Sequence, residues 1–192
     1  MSKSLPIHIG NRSTFSIRYV PGWATTTEKN SYAYLNISLG GQIIGNPNEA
    51  VFVPTWTRSL KEIPNQIQKS MTVLDWEFIK ELSTIEQFEI LNKSNQLVQE
   101  YSIQYQHLRV LDHSYWVNAR LQFDETIDNY SIFMIPYNEN IKFIWKNISD
   151  KKNNIKSIVD SKQNIKSTVV NFQQTIDKYL YYKRGNTQDN NV

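Results

Sequence analysis

The sequence predicts an α+β fold: a mostly antiparallel sheet of meander and hairpins, covered by helices, with a long amphipathic helix near the C-terminus. Three observations carry this reading. Period-two alternation runs through residues 14–20 and again through 34–39, as a strand with one buried face requires. Glycine pairs and Asn-rich breaks separate such runs at hairpin spacing. The period changes to that of a helix after Val53 and again after Asn154, which places helices between and after the strands.

The N-terminal residues are polar apart from Ile7-His8-Ile9, and Gly10-Asn11 reads as a turn. Residues 14–20 (TFSIRYV) put Phe15, Ile17 and Tyr19 on one face and form the first strand. Pro21-Gly22-Trp23 ends it, and a Thr-rich link follows. Residues 31–45 (SYAYLNISLGGQIIG) are the centre of the design, with Leu35, Ile37 and Leu39 alternating against Tyr34, Asn36 and Ser38. Gly40-Gly41 supplies the positive φ angles of a two-residue hairpin, and Gln42-Ile43-Ile44 begins the return strand. Consecutive strands usually pair, so these three form a meander. A lone hairpin is barely stable, so it must pack against the rest of the chain.

After Val51-Phe52-Val53, Trp56, Leu60 and Ile63 recur at helical spacing. Pro54 is tolerated in a first turn, and Pro64 is expected to stop a helix over 54–63. Residues 65–72 are then a polar link, and 75–82 a further helical piece. Ser83-Thr84-Ile85-Glu86 matches a capping box, and Ile85, Phe88 and Leu91 define the buried stripe of the helix it starts. Residues 99–112, 115–123, 129–137 and 141–146 read as strands, with 124–128 and 138–140 as hairpin turns. From about Asn154, Ile155, Ile158, Val159, Val169, Phe172, Ile176 and Leu180 mark an amphipathic helix to about Lys183, with a break near Ser161 compatible with the pattern. One domain is expected over 1–184, with 185–192 a flexible tail.

Composition narrows the function classes. The 192 residues contain no cysteine, which excludes a disulfide scaffold, a thiolate zinc site and a cysteine nucleophile. No signal peptide is expected from the N-terminal residues, and no run approaches the roughly 18 apolar residues of a membrane span. A cytoplasmic protein is the resulting expectation. The net charge of +3 is small, but its distribution is polarised: ten acids against four Lys and Arg over 75–128, and ten Lys and Arg against three acids over 142–184. Such polarity can steer a charged partner.

Motifs for chemistry are weak. His107, Arg109 and His113 would share one strand face and could serve acid–base work on a phosphodiester, but about 20 Å of strand separates the two imidazoles. His8, His107 and His113 lack metal-ligand spacing. Residues 124–128 (DETID) lack the glycine and terminal Glu of a calcium loop. Gly40–Gly45 is followed by Asn-Pro where a phosphate loop needs Lys-Ser/Thr. Lys151, Lys152, Lys156, Lys162 and Lys166 form a lysine-rich stretch without the stacked aromatics and arginines that nucleic-acid binders favour. No cofactor, metal or catalytic residue is expected. Exposed tyrosine and tryptophan serve protein interfaces, which makes Tyr181, Tyr182, Trp23 and Trp56 candidates.

Gly10-Asn11 before FSIRYV, Gly22-Trp23, and YLNISLGGQIIG followed by an apolar helix with Leu60 together resemble immunity protein family forty-two. The resemblance covers about residues 10–63, with Trp145 and the closing helix following the family's general course. It implies a small bacterial protein that protects its cell from a polymorphic or contact-dependent inhibition toxin, without catalysis, by binding the toxin's C-terminal domain and blocking it. It brings no catalytic or contact residues with it. Immunity proteins against basic nucleases are often acidic, whereas this chain is slightly basic. Either its acidic middle does the binding or the toxin is not a basic nuclease. The partner-binding residues expected here are Asp75, Glu77, Glu81, Asp124, Glu125, Asp128, Tyr130, Tyr181 and Tyr182. Two other classes stand beside this one: an RNA- or phosphate-acting enzyme using the His107 strand, and a nucleic-acid-binding adaptor using the lysines.

Overall fold

A computed structural model describes residues 5–20, 32–73, 79–93, 119–123, 125–152 and 154–186. The described residues build two antiparallel sheets whose inner faces share one core. The first contains β1 (Ile7–Gly10), β2 (Phe15–Val20), β3 (Tyr32–Leu39) and β4 (Gln42–Ile44) in that spatial order, with β5 (Val51–Phe52) also pairing with β3. The second contains β6 (Tyr130–Tyr137), β7 (Asn140–Asn147) and β8 (Ile155–Ser161), again in chain order. Between the sheets in sequence lie α1 (Val53–Val73) and α2 (Thr84–Lys93), and α3 (Lys162–Asn186) follows β8.

The meander forms as the alternation requires. Phe15 pairs with Leu39, Ile17 with Ile37 and Tyr19 with Leu35, so all six side chains leave the sheet on one face and are buried. Gly40 and Gly41 adopt φ of 56° and 79°, the two positive angles of a hairpin matched to strand twist. Ile7-His8-Ile9 adds an outer strand that the sequence pattern was too short to declare. Ile9 pairs with Ile17 and is buried, and that packing outweighs the weak local signal.

Three expectations need correction. Pro64 lies inside α1 and does not end it. Its missing N–H and ring cost roughly 3 kcal/mol in a helix interior. Ile67, one turn on, continues the Trp56, Leu60, Ile63 stripe into the core, and such burial contributes about 1.5–3 kcal/mol. Residues 155–161 are the strand β8 rather than the start of the last helix, because they fill the edge of β7 with a seven-residue register from Lys146↔Ile155 to Asn140↔Ser161. The helix begins where a break was compatible with the pattern: the Asn164 backbone N–H donates to Ser161 Oγ at 3.0 Å, an N-cap. Third, the hairpin turn expected over 124–128 is in its described part a 3-10 turn, Glu125–Ile127, whose Ile127 is buried.

Ile85 is also corrected, being 58% exposed, while Phe88, Ile90 and Leu91 are buried. The capping box itself forms: Ser83 N–H donates to Glu86 Oε2 at 2.8 Å and Glu86 N–H to Ser83 Oγ at 3.3 Å. The last helix extends to Asn186, past the expected end near Lys183. Within 115–123 the described residues form an isolated bridge, Arg120↔Phe133, rather than a strand. The strand expected over 99–112 and the first half of the helical piece over 75–82 lie outside the described residues.

Two helices seal the inter-sheet core with the same spacing. Trp56, Leu60, Ile63 and Ile67 of α1 and Ile165, Val169, Phe172 and Ile176 of α3 are all buried in it. Phe15 of the first sheet stacks on Phe143 of the second at 5.4 Å and 3°. The outer face of the second sheet carries a smaller core, in which Phe133, Ile135 and Ile144 meet Phe88 and Leu91 of α2.

Candidate functional site

Two of the expected partner-binding residues meet at one cleft. Tyr130 begins β6, and the 3-10 turn before it leaves Asp128 exposed. Buried Ile127 pins that turn, lying where any side chain at Gly45 would strike it (2.9 Å to Ile127 Cγ2). On the other side, Leu121 N–H donates to the Ile132 carbonyl at 2.9 Å, and Phe123 stacks on Trp56 at 4.4 Å. The result is a cavity of about 260 Å³ lined by Arg120, Leu121, Gln122, Phe123, Ile127, Asp128 and Tyr130. Burial pushes the Arg120 guanidinium below its ordinary pKa, and the Asp128 carboxylate pulls it back. A guanidinium, a carboxylate and a phenol around an opening of side-chain size suit hydrogen bonding to a partner's polar group.

The other expected contacts are dispersed. Glu81 is exposed in the turn before α2. Glu125 lies in the 3-10 turn and Tyr181 and Tyr182 in α3, with no side-chain placement described. Asp75, Glu77, Asp124, Trp23, His107, Arg109 and His113 lie outside the described residues. Trp56 is fully buried and is a core residue, not a surface anchor. The lysine stretch is not one helix face: Lys151 and Lys152 sit in the β7–β8 connection, Lys156 on β8 and Lys162 and Lys166 on α3. Lys156 Nζ donates to Gln42 Oε1 at 2.9 Å, tying β8 to the central hairpin. Among the described residues no three His, Asp or Glu side chains cluster as metal ligands, and no helix is long and apolar enough to cross a membrane.

Two of the glycines that carried the family resemblance, Gly10 and Gly45, are seams of the fold. Gly10, at φ 97°, lies so close to buried Thr168 of α3 that an added Cβ would stand 2.7 Å from Thr168 Cγ2 and from the Phe15 carbonyl oxygen. Asp160 closes the same corner. Its Oδ2 accepts from Thr14 Oγ1 (2.7 Å), the Phe15 N–H (3.1 Å) and Asn164 Nδ2 (2.6 Å), joining both sheets and α3.

A second constellation, which the sequence reading missed, lies on the outer face of the second sheet. Lys142 is 9% exposed, and its Nζ donates to Thr84 Oγ1 at 2.7 Å and Gln87 Oε1 at 2.9 Å of α2. The ammonium also lies 5.8 Å from the centroid of the Tyr137 ring, a cation–π distance. Burial pushes the Lys142 pKa down. Beside this network Tyr137 is 38% exposed and Ile85 58%. The capping box could have revealed Ile85: with Ser83 as cap, the inward face falls on Thr84, Gln87, Phe88 and Leu91.

The family model described as Immunity protein 42 matches residues 1–175. No curated protein matches the chain. Among solved structures, the crystal structure of CdiI from Burkholderia dolosa AUO158 is similar at a TM-score of 0.58 and 16% identity, covering 88% of this chain and 99% of that one. At that identity the likeness is one of fold.

Proposed function

The chain belongs to the Immunity protein 42 family, and on that premise we propose that it neutralises a cognate toxin by binding the toxin's C-terminal domain and occluding its active site. The observation that carries this is the family match itself, which spans 175 of the 192 residues. The CdiI fold likeness supports contact-dependent growth inhibition as the setting, and a toxin acting inside the cell would be met in the cytoplasm. Inhibition without catalysis is the mechanism. A specific, stable interface of this type covers roughly 1,200–2,000 Å² in total, enough to block an active site without any chemistry by the inhibitor.

Within that reading, the acidic stretch from Asp75 to Asp128 steers the partner, and Asp128 and Tyr130 contact it at the Arg120 cleft. The test is co-expression of the full chain with the C-terminal domain of the toxin encoded beside it. Growth is restored, and the two proteins co-elute in a fixed ratio after a high-salt wash. Growth arrest that persists while the chain is folded and abundant would overturn the reading.

A further inference from the structure

Ile85 and Tyr137 are large and exposed, and both flank one buried ammonium: Ile85 follows Thr84, which accepts from Lys142, and the Tyr137 ring lies 5.8 Å from the same Nζ. Ile85 lies in the first turn of α2, and Tyr137 ends β6 on the sheet face that α2 covers. Lys142 holds both flanks in place, with Thr84 on one side and the Tyr137 ring on the other. That network fixes the Tyr137 ring and the helix turn that carries Ile85, so less ordering entropy is lost when a partner covers them. Single exposed apolar residues are ordinary on a protein surface. Two exposed apolar groups flanking one buried polar network, one of them aromatic, have the make-up of an interface anchor.

The charge around the pair selects the partner. Glu81 stands in the turn leading into α2, Glu89 one helical turn beyond Ile85, and Glu139 at the tip of the hairpin after Tyr137, all exposed. The Lys142 cation is drawn inward by its acceptors. With exposed Lys80 beside Glu81, the three carboxylates outnumber one ammonium, and the exposed rim is net acidic on a chain whose net charge is +3. We propose that the ridge formed by α2 and the β6–β7 hairpin is the anchoring surface for a basic face of the toxin domain, with Ile85 and Tyr137 covered by an apolar side chain of that domain. This rests on the immunity reading. The ridge lies at the opposite end of β6 from Asp128 and Tyr130, so the two can be separated by mutation.

The experiment measures binding of the full chain to the neighbouring toxin's C-terminal domain, with growth protection in parallel. Ile85→Arg and Tyr137→Ala each weaken binding about tenfold or more, mainly through faster dissociation. The Glu81→Lys, Glu89→Lys double variant slows association about tenfold at low salt and flattens its salt dependence. Lys151→Ala, in the β7–β8 connection at the other end of the sheet, leaves the dissociation rate within about twofold of wild type. Unchanged melting temperatures show that the exposed substitutions do not unfold the chain. Wild-type binding and protection retained in Ile85→Arg and Tyr137→Ala would overturn the ridge while leaving the immunity reading intact. Failure of the wild type to bind or protect would overturn both. A dimer of the free chain that Ile85→Arg dissolves would reassign the ridge to self-association.

Discussion

Gly10 shows how much one residue can decide. Its φ of 97° is open to glycine, and its missing side chain admits Thr168 of α3. Gly10→Ala should therefore cost about 2–4 kcal/mol, from backbone strain plus displacement of a buried helix. Denaturant unfolding would check this, and a loss below about 1 kcal/mol would mean that α3 shifts freely. His8 carries a pH dependence. Burial, then the charges of Arg12 and Arg18, hold its pKa below 6.5. The unfolded chain thus binds the proton more readily than the native one. Stability should rise with pH through the window that ends near 6.5, and acidification through it should destabilise. His8→Gln should flatten that slope in thermal unfolding followed from about pH 5 to 7.

At the scale of an element, α1 is the informative case. Local rules end it at Pro64, and its stripe of Trp56, Leu60, Ile63 and Ile67 carries it through. Pro64→Ala restores an N–H able to reach the Leu60 carbonyl, so it should stabilise the protein by about 1–3 kcal/mol. A higher denaturation midpoint is the readout, and destabilisation would mean that the proline ring itself is packed in place. In β8 the conflict runs the other way. Ile155, Ile158 and Val159 fit a helical stripe, yet they pair along β7, and the helix waits for the Ser161 cap. Removing that cap with Ser161→Ala should cost about 1 kcal/mol, measured in the same way.

For the whole molecule, the corner around Asp160 joins both sheets and α3 through one carboxylate. Asp160→Ala leaves the Phe15 N–H and the Asn164 amide without this acceptor and should cost about 3–5 kcal/mol; Asp160→Asn, which keeps one carbonyl oxygen, should cost less. The core is continuous across the sheets, α1 and α3. Residues 1–184 should accordingly unfold in one transition, with tryptophan fluorescence and far-ultraviolet circular dichroism coinciding. Two resolved transitions would divide the chain into separate domains.

Period-two runs and the Gly40-Gly41 turn determined the central meander from sequence alone, and two apolar runs around the Asn138-Glu139-Asn140 turn determined the β6–β7 hairpin, because strand pattern and turn chemistry are local properties of the backbone. The Ser83 capping box was equally local. The glycine pattern also carried the family, and at Gly10 and Gly45 it marks where elements touch. Tertiary packing decided the rest. It placed Ile7–Gly10 in a sheet, drew α1 past its proline, and turned residues 155–161 into a strand. In each case the gain from covering a neighbour matched or exceeded the local preference. The candidate ridge was illegible for the same reason. Its parts, Ile85 and Tyr137, are 52 positions apart in the chain, and only the fold around Lys142 brings them to one surface.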